Sequence, residues 1–220
     1  MNKIAVYLMP GLAASSTIFE HIQLSEEFEL FYLEWFLPNE NESLETYAFR
    51  MTQKIVHKNP VLIGVSFGGI LVQEMALHIQ TQKIIIISSV KSNLEFPVKL
   101  KILKATKAYK IIPTQLFANI EALSKFAFGE NIVTKRLKLY EKYLLMRDKK
   151  YLDWAIENVI LWKRNKPNKD VIHIHGDADA VFPINNIKNC VKIKGATHIL
   201  VLTKYKWLNE NLPKLILNTY

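Results

Sequence analysis

The chain has 220 residues, half of them apolar and 22% charged, with one cysteine, 7 Gly and 8 Pro; 29 Lys and Arg against 20 Asp and Glu give a net charge of +9. That length fits one large domain or a domain carrying an insertion, and the composition excludes a disordered, collagen-like or low-complexity chain. A lone Cys190 excludes a disulfide scaffold and a thiolate metal cluster, and implies a reducing, cytoplasmic setting.

Taken in chain order, residues 4–9 form the first short apolar run of strand length. With Lys3 before it and small residues from Gly11 to Ser16 after it, this segment imitates a secretory leader, but the run is brief and is cut by Pro10, so it is read as a strand. A second strand is expected over 29–35. A helix follows over 43–58, opened by Ser43, with Leu44, Tyr47, Ala48, Met51 and Ile55 on one stripe. Next come a strand at 61–65, a helix at 69–80 and a strand at 84–88. Only helical patterns fill the interval that follows: 97–110, begun by Pro97; 114–128, stopped by Gly129; 131–147; and 151–162. Strands return at 171–175 and 191–194, and a helix over 201–219 closes the chain, with Pro213 expected to kink or split it. No stretch reaches the roughly 18 uninterrupted apolar residues of a membrane helix.

Strands alternating with helices, several of them apolar on both faces, predict a mostly parallel sheet of about six strands covered by helices on each side. The strandless interval divides the chain into a discontinuous core, 1–90 and 170–220, and a helical insertion, 91–169. Charge follows the same division. The insertion holds 18 Lys and Arg against 7 Asp and Glu, a balance of +11, which leaves −2 for the core.

The chemistry is carried by Gly64-Val65-Ser66-Phe67-Gly68-Gly69, placed directly after one apolar strand and directly before a helical pattern. This is the setting of a G-x-S-x-G nucleophile elbow, a turn so tight that the serine takes a strained backbone and glycines two residues to either side avoid collision. A serine hydroxyl needs a base to take its proton and a third group to orient that base. Both are available at later strand ends: Gly176-Asp177-Ala178-Asp179, followed by Val181-Phe182-Pro183, and then Gly195-Ala196-Thr197-His198.

The elbow, the H-G-D-A-D acid loop with its V-F-P, and the G-A-T-H loop together resemble the α/β-hydrolase superfamily, as a serine-nucleophile member with a minimal core and a helical cap. The resemblance covers both flanks; the insertion matches only in being helical and in following the strand after the elbow helix. It implies Ser66 as nucleophile, His198 as base and Asp179, second aspartate of the G-x-x-D pattern, as acid, with Asp177 as the alternative. It also implies an oxyanion hole made by the backbone N–H groups of Phe67 and Leu12. Here Met9-Pro10 stands where many members carry His-Gly, a departure at the Leu12 side. Cleaving residues 1–14 would remove a central strand and half of that hole.

Serine at the elbow excludes relatives that use aspartate there, the haloalkane dehalogenases and soluble epoxide hydrolases. The expected activity is hydrolysis of carboxylic esters of small or medium acyl groups through an acyl-enzyme. The alternatives are a thioesterase acting on acyl-CoA or acyl carrier protein and, in a different class, a non-catalytic ligand-binding protein on the same scaffold. No cofactor, metal or nucleic acid is expected: His173 and His175 share one face of a strand but lack a matching carboxylate. His173 is read as core and His175 as a support of the acid loop; His21, His57, His78 and Cys190 belong to no motif. In the insertion, Phe117, Phe126, Phe128, Tyr140, Tyr143, Trp154 and Trp162 supply apolar surface, most of it for helix packing. Lys101, Lys104 and Lys107 share a helix face, by default a solvated one, or else one that attracts an anionic partner.

Overall fold

Six short apolar runs build a single sheet in the computed structural model, which describes residues 3–111 and 141–218. They are β1 (Ile4–Met9), β2 (Phe28–Tyr32), β3 (Val61–Val65), β4 (Lys83–Ile87), β5 (Val171–Gly176) and β6 (Val191–Ile193). Their order is β2-β1-β3-β4-β5-β6, and every neighbouring pair is parallel. Among the described residues the complete α-helices are α1 (Leu44–Thr52), α2 (Phe67–Met75), α3 (Val98–Thr106), α4 (Lys149–Leu161), α5 (Leu200–Thr203) and α6 (Tyr205–Leu217). All of β3 is buried, as are the last four residues of β4. Successive strand side chains point to opposite faces, so a wholly buried strand needs cover on both sides. No helix among the described residues is long and apolar enough to cross a membrane.

The strand order places the functional end of the molecule. From β1 the chain moves one way to β2 and then returns to pair β3 on the other side of β1. At such a reversal the loops leaving neighbouring strands diverge, and a crevice opens at the carboxyl ends of those strands. Here the strands are β1 and β3, so the Pro10-Gly11-Leu12 segment and Ser66 emerge side by side.

Differences from the expected elements have local causes. The second strand ends at Tyr32 rather than at residue 35: after Leu33 donates its N–H to Leu8 the chain leaves the sheet, and Trp35 turns toward the loop after β1. α1 stops at Thr52, six residues early, because the Val56 N–H and the His57 ring both bond to the Tyr7 hydroxyl and draw the chain back to the sheet. α2 starts at once after Ser66, and its expected last turns become tight turns from Ala76 to His78. The final helical stretch breaks at Lys204, between α5 and α6, and α6 runs on through Pro213.

Within the insertion, α3 follows Pro97 directly and α4 occupies the last expected helix. The expected helix at 114–128 with its Gly129 stop, most of that at 131–147, and Phe117, Phe126, Phe128 and Tyr140 lie outside the described residues. The described later part docks on the core. Tyr143, Leu144, Tyr151, Leu152, Trp154 and Trp162 join the same apolar cluster as the sheet. Two backbone bonds tie this segment to the loop after β1: Ser15 N–H to the Tyr143 carbonyl at 2.8 Å and Met146 N–H to the Ala13 carbonyl at 3.0 Å.

Candidate active site

Ser66 sits between β3 and α2 with φ 52° and ψ −118°, a conformation few non-glycine residues adopt. Four bonds hold it there: its N–H donates to Ile87, and its carbonyl accepts from the Ser89 hydroxyl at 2.7 Å, from Gly69 N–H at 2.9 Å and from Ile70 N–H at 3.3 Å. The two elbow glycines have different reasons. A Cβ on Gly64 would lie 2.3 Å from the Gly68 carbonyl oxygen, the collision expected from the motif. A Cβ on Gly68 would lie 2.3 Å from the Pro10 carbonyl oxygen, so this glycine makes room for the loop after β1.

His198 and Asp179 meet Ser66 from the loops after β6 and β5. His198 Nε2 is 3.0 Å from Ser66 Oγ, and His198 Nδ1 is 2.8 Å from Asp179 Oδ2. The other carboxylate oxygen of Asp179 accepts the N–H groups of Val181, at 2.8 Å, and Phe182, at 2.9 Å. Burial opposes ionisation of this carboxyl, but the His198 charge and hydrogen bond, with the Phe182 N–H, outweigh it and hold Asp179 below the usual carboxylate range. An ionised Asp179 takes a proton-bearing Nδ1, which leaves the Nε2 lone pair facing the Ser66 hydroxyl. Asp177 does not reach His198; its carboxylate accepts the Gly195 N–H at 2.7 Å and ties together the loops that present Asp179 and His198.

Behind the acid lie His173 and His175, both buried. His175 Nε2 donates to the Phe182 carbonyl at 2.8 Å and stands 3.5 Å from Asp179 Oδ2, so it closes the turn whose N–H groups hold the acid. With that nitrogen donating, Nδ1 accepts from His173 Nε2 at 3.1 Å. Burial, chiefly, pushes both imidazoles below their ordinary range.

On the other side of Ser66 the loop after β1 supplies backbone groups. Ala13 N–H donates to the Tyr151 hydroxyl at 3.3 Å and Ala14 N–H to the Gly11 carbonyl at 3.1 Å. Among the described residues, the N–H groups of Leu12 and Phe67 meet no protein acceptor. Leu12 lines a cavity of about 30 Å³ that ends at Ser66 and His198, with Ala14, Ile18, Val201 and Leu202 among its aliphatic walls. Sequence reading did not find Trp35, whose indole N–H donates to the Gly11 carbonyl at 2.8 Å, nor the roles of Tyr151 and Ser89. Only Trp35 carried a signal: a large apolar residue with an N–H that burial obliges to find an acceptor.

The remaining candidates lie elsewhere. His57 bonds Tyr7, His21 packs at a tilt against Tyr205, His78 packs on Phe49, and Cys190 is half-buried with its thiol pushed up by burial. Trp154 lies against Tyr47 and Phe67, and Trp162 donates to Glu74 on α2, so both pack the insertion onto the core.

No protein-family model matches this sequence, nor does any curated protein. Solved structures do. An esterase from Thermogutta terrifontis superposes with a TM-score of 0.72 at 14% identity, covering 99% of this chain and 90% of that one. A bromoperoxidase from Bacillus anthracis gives 0.68 at 20% identity over 99% and 92% of the two chains. An α/β-hydrolase fold protein from Burkholderia ambifaria gives 0.66 at 14% identity over 96% and 90%. Together with the parallel six-stranded sheet and the serine elbow after its third strand, these likenesses establish that the chain has the α/β-hydrolase fold.

Proposed function

We propose that this protein is a serine hydrolase of carboxylic esters with small acyl groups. The observation that carries the reading is the unbroken line from Ser66 Oγ through His198 to Asp179, with contacts of 3.0 and 2.8 Å, opening on an aliphatic cavity. In this reading His198 takes the Ser66 proton as Oγ attacks the ester carbonyl carbon. The carbonyl oxygen becomes an oxyanion and accepts from Phe67 and Leu12 N–H, each worth about 3–4 kcal/mol in such a site. The carbon–oxygen bond to the alcohol then breaks, and His198 protonates the departing oxygen. Water, deprotonated by His198, attacks the acyl-serine, and collapse of the second intermediate returns the acid and free Ser66.

The cavity supports the small end of the acyl range, since its roughly 30 Å³ exceeds the space one water needs but is far below that of a long chain. A similar fold in a thermophilic esterase agrees with ester hydrolysis. A thioester of an anionic carrier is a second reading, favoured by the exposed Lys99, Lys101, Lys104 and Lys107 on and beside α3.

One substrate panel tests these statements. Short p-nitrophenyl esters should turn over, Ser66→Ala should lower kcat by at least about 10⁴-fold without unfolding the protein, and an organophosphate should add its mass at Ser66. Absence of both turnover and labelling in folded protein overturns the reading. A kcat/KM that falls with salt for acyl-CoA but not for the neutral ester selects the thioester form.

A further inference from the structure

We infer that Trp35 is a positioning residue that sets both oxyanion donors, an inference that rests on the serine-hydrolase reading above. Trp35 is 7% exposed and lies in the segment that leaves β2. Its indole N–H donates to the Gly11 carbonyl at 2.8 Å. That carbonyl and the Leu12 N–H belong to one peptide unit, which is trans, so they point in opposite directions and fixing one aims the other. A hydrogen bond accepted by the carbonyl also polarises the N–H of the same unit. The N–H of Leu12 is thereby both directed and made a stronger donor.

The face of the same indole lies on Phe67, with ring centroids 4.9 Å apart and planes 8° from parallel. Phe67 carries the second donor on its own backbone, at the first residue of α2. Tyr151 also packs against Trp35, at 5.3 Å between centroids, and its hydroxyl takes the Ala13 N–H. The amide next to Leu12 is thus already engaged, while the Leu12 N–H meets no protein acceptor among the described residues. Trp35 itself has no hydrogen bond to Ser66, His198 or Asp179 among the described residues; it acts through the Gly11–Leu12 peptide and through the Phe67 ring.

The competing explanation is that Trp35 only fills the core. Trp35→Phe separates the two, since it keeps an aromatic ring against Phe67 and removes the N–H. A positioning role predicts a kcat lower by about tenfold with KM unchanged, the size of one lost hydrogen bond expressed in rate. Binding of a short alkyl boronic acid, which forms a tetrahedral adduct on Ser66, should weaken by the same factor. A second form, with 3-benzothienylalanine at position 35, replaces only the N–H by sulfur and serves if the Phe variant does not fold. Wild-type kcat and boronate affinity in either variant, whatever the melting temperature, overturn the Trp35 inference alone. If the unsubstituted protein neither turns over esters nor binds the boronate, the serine-hydrolase reading fails and the inference with it.

Discussion

The two sides of Ser66 are built in different ways. The side of Asp179 and His198 is local. Asp179 is held by N–H groups two and three residues further on, His175 reaches a carbonyl seven residues away, and His198 follows Asp179 by nineteen positions. The side of Leu12 and Phe67 is assembled from distant parts of the chain. The loop after β1 is held by Trp35, by the Tyr151 hydroxyl, and by backbone bonds from Tyr143 and Met146, the last three contributed by the insertion. A loop that binds its own backbone folds into its geometry independently. A loop held by Tyr143, Met146 and Tyr151 keeps its geometry only while that later segment is docked, so its amides are placed by contacts at the longest range.

Substitutions on each side sharpen this contrast. Asp179→Asn should give the larger effect, a kcat lower by about 10⁴-fold, because an amide at that position no longer selects the Nδ1 proton of His198. Asp177→Asn at the neighbouring carboxylate should leave kcat within a few-fold, since it bonds the Gly195 N–H and not the imidazole. Equal losses in the two variants would break the assignment of the acid. On the other side, Gly68→Ala places a Cβ where the Pro10 carbonyl stands, 2.3 Å away, and must displace the loop after β1. Loss of one aimed donor predicts a kcat lower by about 10²-fold, with the His198–Asp179 contact intact. A short alkyl boronate should bind correspondingly more weakly. Unchanged kinetics in Gly68→Ala would show that the donors tolerate movement of that loop.

The same contrast explains what could be read from the sequence. β3, the elbow and the two later loops are each contiguous, so Ser66, Asp179 and His198 stand out as strand-end residues in short motifs. Their proximity follows from a parallel sheet, in which all carboxyl ends lie on one side. Which of Asp177 and Asp179 lies beside His198 is not legible in the sequence, because two aspartates two residues apart differ only in how the turn after β5 aims them. Trp35 was hidden for another reason: it continues an apolar run and reads as strand, whereas Leu33 makes the last bond to β1 and the next residues cross to Gly11. Ser89 and Tyr151 carry no local pattern. Their partners, Ser66 and Ala13, are 23 and 138 residues away, and pairing at such range depends on packing.

The smallest expected effect concerns the buried histidines that support the acid loop. His173 is held well below its ordinary value of 6.5, first by burial and then by the proximity of His175 and of the Lys91 ammonium, which disfavour a second positive charge; His175 is lowered as well, again by burial, with Asp179 partly opposing. A histidine kept neutral in the native state but free to protonate when unfolded makes the unfolded state bind more protons below pH 6.5. Stability is therefore complete above that value and falls with pH beneath it, by about 1.4 kcal/mol per pH unit for each such group while the native form stays neutral. His173→Asn removes one of the two protons from the balance. At pH 7 it should lower stability by about 1 kcal/mol through the lost bond to His175, yet between pH 6.5 and 5 its urea midpoint should decline less steeply than that of the unsubstituted protein. Parallel curves over that window would mean that His173 protonates in the folded state, and that the buried pair does not govern how the acid loop withstands low pH.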